Sequence, residues 1–399
     1  MAWQSVKPME ERTKFLIRAT GGESISSLCR EFGISRQTAY RLLRRAKSEG
    51  LDAARARSKR PLTSPHEVTA EVVCEAVSIR TAHPSWGARK IRAILANRRV
   101  RPLPSERSIN RILERSGLIE KRRRRGGSTY YPEKVIRPKV LNEVWTIDVK
   151  GWWRTRDGEK CYPLTIREEL SKFILEIAAL RAVTTDAVKK HLLRCFKQYG
   201  MPLYLRSDNG APFSACNAVQ GLSTLSVWLI ELGILPNRIP PGSPQYNGGH
   251  ERMHKDLKNE VQKTPARNLE LQQAILDVWR EEFNTERPHE ALAMKTPASC
   301  YKHSSQAIPP KIKPYNYEAG VEIRKVGARG EIWWKGNRFF LSNALASRCI
   351  GIRKENNDVY SIWFRNFFLG KTAFEVKPPY RGASLKDAKR TKVSPMSWR

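Results

Sequence analysis

"EVWTIDVK", residues 143–150, decides how the middle of this chain folds. Alternation along an extended segment puts Trp145, Ile147 and Val149 on one face and Val144, Thr146 and Asp148 on the other. A strand apolar on both faces belongs in the centre of a sheet, and Asp148 is then a lone acid emerging from it. An unpaired carboxylate on a buried strand is costly, so it asks for a role. Outward from this strand, "CYPLTIRE" (161–168) and "KFILEIAAL" (172–180) read as two more strands. "TTDAVKKHLLRCFKQYG" (184–200) reads as a helix and "LYLRSDNG" (203–210) as a strand ending in a turn. "LSTLSVWLIELG" (222–233) is helical and "ILPNRIP" (234–240) a short strand. "GGHERMHKDLKNEV" (248–261) and "LELQQAILDVWREEFN" (269–284) close the segment as helices.

Three strands followed by α/β alternation is the element order of a ribonuclease H-like core with a mixed sheet. Asp208 sits where a strand stops, and open α/β sheets gather ligands outside the carboxyl ends of their strands. Glu251 lies near the start of the helix after "PPGSPQYNGG". Three acids from three elements are thus expected to converge at one sheet edge. Each has a bland alternative: Asp208-Asn209-Gly210 as a plain turn, or Glu251 as a first-turn acid favoured by the helix dipole. Their coincidence on this strand order outweighs those readings. His250-Glu251-Arg252-Met253-His254 also spells H-E-x-x-H, the zinc-peptidase pattern. That makes a zinc metallopeptidase the competing enzyme, with Glu270, Glu281, Glu282 or His289 as third ligand.

Charge speaks for DNA. The 399 residues carry 73 Lys+Arg against 39 Asp+Glu, a net +34. Residues 1–140 hold +19, residues 141–300 only +2 and residues 301–399 +13, so two basic flanks enclose a nearly neutral middle. A polyanion is the natural partner. Seven cysteines form no C-x-x-C pair and no even disulfide set, which fits a reducing cytoplasm. No apolar stretch is long enough to span a bilayer, and no signal-peptide core or phosphate-binding loop is present.

In the first flank a helix over Glu10–Thr20 and the stretch 24–50 predict a helix-turn-helix, with Gly33 at the turn and Ser35 as N-cap. Its second helix turns Ala39, Leu42, Leu43 and Ala46 inward. Arg36, Gln37, Tyr40, Arg41 and Arg44 lie outward, and with Arg45 they are the candidate DNA contacts. A second helical unit over 61–125, helix-turn-helix or winged-helix-like, buries Ile91, Ile94, Leu95, Ile109, Ile112 and Leu113. Arg122, Arg123, Arg124 and Arg125 lie in a basic linker over 121–139, suited to phosphates. The expected domains are 1–60 (helix-turn-helix), 61–125 (second helical unit), 140–310 (core) and 318–380, with a basic tail at 381–399. Domain 318–380 reads as five short strands of a small SH3-like β-barrel.

The run "TID…RSDNGAPF…PGSPQYNGGHERMHKDLK…FNTERPHEAL…TPASCY" resembles the DDE-type transposases of bacterial insertion sequences, whose catalytic core is like that of retroviral integrases. The resemblance extends from helix-turn-helix through core to C-terminal barrel and is sharpest between Ser207 and Leu292. It implies that Asp148, Asp208 and Glu251 are catalytic and metal-binding, and that Arg252 and Lys255 meet the DNA backbone. It implies two Mg²⁺ or Mn²⁺ ions per site, roughly 3.5–4 Å apart, suited to oxygen donors rather than histidine. The implied reaction is 3′-end cleavage of DNA followed by strand transfer. Partners would be double-stranded DNA, as terminal inverted repeats and target, and further copies of the chain in a homo-oligomer. No membrane and no nucleotide cofactor are expected, and the implied location is the bacterial cytoplasm, associated with the nucleoid. One departure stands out: 42 residues separate Asp208 from Glu251, several more than integrase-type cores usually have, with the excess around "SACNAVQGLSTLSVW". A non-catalytic helix-turn-helix regulator is the other alternative, but it has no use for the acids.

Overall fold

The computed structural model describes residues 8–57, 68–119, 136–215, 218–239, 248–356, 359–373 and 391–392. Arg122–Arg125, most of the linker and nearly all of the tail lie outside the described residues. The chain divides into two compact units, residues 1–68 and 69–399.

In the first unit, α1 (Pro8–Thr20), α2 (Ile25–Glu31) and α3 (Arg36–Glu49) surround Phe15, Leu16, Leu28, Ile34, Ala39 and Leu42. Gly33 takes a left-handed φ of 62° at the tight turn between α2 and α3. Only a glycine adopts that conformation cheaply. Ser35 caps α3, its hydroxyl accepting from the Thr38 amide at 3.1 Å. This is the helix-turn-helix that the apolar spacing predicts.

The second unit begins with α4 (Ala70–Ala82), α5 (Ala88–Asn97) and α6 (Glu106–Arg115). Helix α4 is additional to the sequence expectation, and its Ala76 and Ile79 complete a core with Ile91, Leu95, Ile109 and Leu113.

The central sheet contains β1 (Val144–Val149), β2 (Trp153–Arg154), β3 (Lys160–Glu168), β4 (Ile174–Leu180), β5 (Tyr204–Ser207) and β6 (Leu235–Arg238). Its path is β2-β3-β1-β5-β6, with β4 paired to β3. β1, β3 and β4 run antiparallel, whereas β1, β5 and β6 run parallel. The sheet is therefore mixed, and β1 is central as its two-sided apolarity requires. Between the strands run α7 (Thr185–Tyr199) and α8 (Thr224–Glu231), followed by α9 (Gly248–Leu257), α10 (Leu269–Thr285) and α11 (Pro297–Cys300).

The two sheet faces differ as the alternation of β1 demands. Trp145 and Ile147 pack with Leu192, Phe196, Leu225 and Leu229 of α7 and α8. On the opposite face Ile174, Ile177 and Cys161 meet Met253 and Leu257 of α9 and Leu276, Trp279 and Phe283 of α10. A π-helical turn, Lys258–Gln262, continues α9 and keeps Val261 in that core.

The C-terminal region holds β7 (Glu322–Lys325), β8 (Glu331–Trp334), β9 (Asn337–Phe340), β10 (Cys349–Asn356), β11 (Val359–Phe364), β12 (Phe367–Ala373) and β13 (Thr391–Lys392). The five expected strands are all present, but the closed SH3-like barrel is not what they build. Strands β12-β11-β10-β7 form one open sheet and β13-β9-β8 another, around a shared core of Ile332, Phe339, Ile350 and Ile362. The reason lies in the pairing: no described hydrogen-bonded ladder joins the two sheets.

That region also explains the long spacing between Asp208 and Glu251. Leu222, Val227 and Ile230, from the extra segment and α8, belong to the C-terminal core rather than to the central one. The Val219 amide donates to the Leu341 carbonyl at 2.8 Å, and the Ser342 hydroxyl to that of Leu222 at 2.9 Å. Arg348 pairs with Glu231 at 2.8 Å. The additional residues are a platform on which the C-terminal sheets sit.

Candidate active site

Strand pairing places the two aspartates. In the parallel pair β1–β5, Val144 lies opposite Tyr204 and Thr146 opposite Arg206. Strand β5 ends at Ser207, so Asp208 follows directly on the strand that pairs in parallel with β1, while Asp148 lies near the end of β1 itself. Both are half-buried. The Asp148 Oδ1 accepts from the Val149 amide at 2.8 Å, and the Asp208 Oδ1 from the Gly210 amide at 3.1 Å.

Helix α9 crosses the same face. Its buried stripe is His250, Met253 and Leu257, with His254 half-buried beside it. Gly249 lets this helix start against Arg167: a β-carbon there would run into the buried guanidinium. Glu251 sits about 100° round the helix from His250 and about 60° from His254. It therefore flanks the stripe and is exposed. Among the described residues, the group of three potential ligands whose donor atoms fall within 4.8 Å of one another is Asp148, His250 and His254. Of the three acids expected to converge, that group holds Asp148; neither Asp208 nor Glu251 belongs to it.

Helical spacing alone makes the histidines polar neighbours of Glu251; in the structure they are the buried floor beneath Asp148. His250 is fully buried, with Nε2 2.6 Å from the Thr146 hydroxyl and Nδ1 3.1 Å from that of Thr165. The Thr165 hydroxyl also lies 3.0 Å from His254 Nε2 and donates to the Asp148 carbonyl at 3.1 Å. A hydroxyl has one proton. If Thr165 gives it to Asp148, both histidines must donate to Thr165, His250 from Nδ1 and His254 from Nε2. Protonation is set by the environment instead: burial, aided by the charge of Arg167, pushes His250 well below its usual range. Burial, with Lys150 and Arg167 nearby, holds His254 at about 3. With both ring nitrogens engaged by threonine hydroxyls, His250 is not poised as a zinc ligand. The H-E-x-x-H spacing marks a shared helix face, but that face serves packing and the positioning of Asp148.

Arg287 is a structural residue that the sequence motifs do not single out. Its guanidinium is 1 % exposed, pairs with Asp256 at 3.0 Å and also with Glu260. It lies over Phe283, Trp279 and Trp86 at 5.3, 5.5 and 5.9 Å. Trp86 comes from the loop between α4 and α5, so the second helical unit and the α9–α10 pair share one buried cation. A charged residue in "ERPHEAL" flanked by no obvious partner is the only signal of it in the sequence.

Of the DNA-contact candidates, Arg36, Gln37, Tyr40, Arg41 and Arg44 are exposed on α3 within an arc of about 140°. Arg45 stands apart from them. It is held by Glu49 at 2.7 Å and by the Arg55 carbonyl at 2.8 Å, which fastens the end of α3. Arg252 and Lys255 are exposed on α9 beside Glu251. Among the described residues, no helix is long and apolar enough to cross a membrane.

Comparison with known proteins agrees with this architecture. Integrase core domain profiles match residues 140–244 and 232–297. A helix-turn-helix domain profile matches 11–61, and a homeodomain-like profile 38–113. The chain is 26 % identical over 209 residues to the insertion element IS407 uncharacterized 31.7 kDa protein of Burkholderia multivorans, covering 52 % of this chain and 73 % of that one. It is 33 % identical over 135 residues, a third of its length, to the Gag-Pro-Pol polyprotein of Mason-Pfizer monkey virus, of which it spans 7 %. A solved relative, the HTLV-2 integrase catalytic core domain in complex with magnesium, is 17 % identical with a TM-score of 0.32, over 41 % of this chain and 98 % of that one. The profile matches and the insertion-element relative support an integrase core domain at the centre of the chain with helix-turn-helix domains before it. The activity they support is that of a polynucleotidyl transferase, DNA cleavage and strand transfer.

Proposed function

We propose that Asp148, Asp208 and Glu251 are the metal-binding acids of this transferase, and that it acts on the terminal inverted repeats of its element and on target DNA. The observation that supports the reading is the parallel pairing of β1 and β5, two central strands that carry Asp148 near the end of one and Asp208 just after the end of the other. Oxygen donors of this kind suit Mg²⁺ or Mn²⁺. Two such ions, when bound, activate the attacking oxygen and stabilise the leaving 3′-oxygen.

The chain's own residues supply placement. Thr165 ties the backbone of Asp148 to His250 and His254, and the Val149 amide donates to the carboxylate. Glu251 stands on the solvent-facing flank of α9, in reach of a substrate lying across the sheet edge. Arg252 and Lys255, exposed on the same helix, face the phosphates of that strand. Recognition of element ends belongs to α3, whose Arg36 and Gln37 stand at the start of an exposed polar face, the part of a recognition helix that meets base edges. The chain acts as a homo-oligomer on paired ends.

The test compares metal-dependent nicking with a gel shift for Asp148→Asn, Asp208→Asn and Glu251→Gln. Each variant is expected to bind DNA as the wild type does and to cleave none. Wild-type cleavage by any one of them removes that acid from the site.

A further inference from the structure

We infer that the β1–β2 connection carries a stacking platform for an unpaired base of the DNA strand lying at Asp148. The inference rests on the transferase reading above and adds a binding site to it. Trp152 is a large aromatic left 49 % exposed, although its neighbour Trp153 is buried. Gly151, at φ 42°, turns the chain as it leaves β1 and presents Trp152 outward. Trp152 lies four positions after Asp148, at most about 14 Å of extended chain.

The surroundings of the ring are cationic. Lys160 Nζ lies 4.7 Å and Arg154 Cζ 5.8 Å from its centroid. Arg154 and Lys160 are register partners in the antiparallel pair β2–β3. Like charges directly opposite one another destabilise a strand pair, so this placement has a cost that a polyanion would relieve. Arg156 is exposed two residues further along the same edge. An exposed aromatic face within a row of cations is the composition that binds unpaired nucleotides: the ring takes a base of any sequence and the cations take phosphates. A duplex opened at the cleavage point offers such a base; a fully paired one does not.

The test uses the full chain and two random-sequence duplexes, one blunt and one carrying a short 3′ single-stranded overhang. Binding is read by fluorescence anisotropy across a salt series. The wild type is expected to prefer the overhang. Trp152→Ala should bind it roughly tenfold more weakly and the blunt duplex unchanged, and Trp152→Phe should keep most of the preference. Joint Arg154→Gln and Lys160→Gln substitution should lower the log–log salt slope by about 0.7–0.9 for each phosphate that is no longer neutralised. Equal preference for the overhang in wild type and Trp152→Ala overturns the inference. Metal-dependent nicking of a duplex carrying the element's end is scored for the wild type in the same preparation. Absent nicking with an intact overhang preference sinks the transferase reading and leaves the platform standing, and the converse result sinks the platform alone.

Discussion

The two faces of the central sheet are built from the same strands and do opposite work. On the face of Trp145 and Ile147, the contacts with α7 and α8 are mainly apolar, the Trp145 indole donates to Asn142 at 2.9 Å, and one buried acid, Glu176 of β4, pairs with His191 at 3.1 Å and with Arg194 of α7. On the face of Thr146 and Asp148, polar groups enter the interior: Thr165, His250, His254 and, further along α9 and α10, Arg287 with its acids. The first face supplies non-directional stability. The second costs desolvation and returns fixed geometry. A chain that needs a precisely held carboxylate has reason to gather most of its buried polar groups on that carboxylate's face.

The sharpest way to separate the faces is Asp148→Asn. It should lower cleavage by more than about a thousandfold, at least roughly 4 kcal/mol of barrier, while the unfolding midpoint stays near that of the wild type. A large loss of stability would mean that Asp148 is structural. Next comes Arg287→Met, which keeps bulk and removes charge. Asp256 and Glu260 then lose their buried partner, at a cost of about 3–5 kcal/mol, measurable by urea unfolding. If Arg287→Met is neutral, the hub is dispensable and the polar face is less committed than its ion pairs imply.

On the mainly apolar face Ile147→Ala should cost about 2–5 kcal/mol by leaving a cavity, with cleavage per folded molecule unchanged. A selective loss of activity at full stability would blur the division. The smallest effect is acid sensitivity. Burial, with Lys90 and Arg287 nearby, holds His289 at about 3, and an unfolded histidine titrates near 6.5. The folded pKa is depressed, so the unfolded chain takes the proton first. Stability is then complete above about pH 6.5 and falls as pH drops toward 3, by at most about 1.4 kcal/mol per pH unit for this group. Unfolding midpoints at pH 7, 6 and 5 should show the decline, and His289→Gln should make it shallower by this group's share, leaving that of His250 and His254; an unaltered slope in that variant would remove His289 as a source.

What the sequence determined by itself was whatever depends on neighbours a few residues apart. The caps Ser35 and Ser105 fix helix starts through the amides of Thr38 and Ser108, at 3.1 Å each. The alternation of Trp145, Thr146, Ile147 and Asp148 assigned both sheet faces, because a strand's period of two leaves no other choice. Periodicity also showed that His250, Met253, His254 and Leu257 share one side of a helix, though not which side would be buried. Only the tertiary structure decided that. Thr146 and Thr165, brought together by pairing of β1 with β3, offer hydroxyls that the two imidazoles can satisfy, so the histidines turn inward and Glu251 is left on the flank. The partners of Arg287 and the opening of the C-terminal strands into two sheets were likewise settled by long-range contacts. A local pattern states which residues travel together; which of their faces is buried depends on the groups that distant segments bring to meet them.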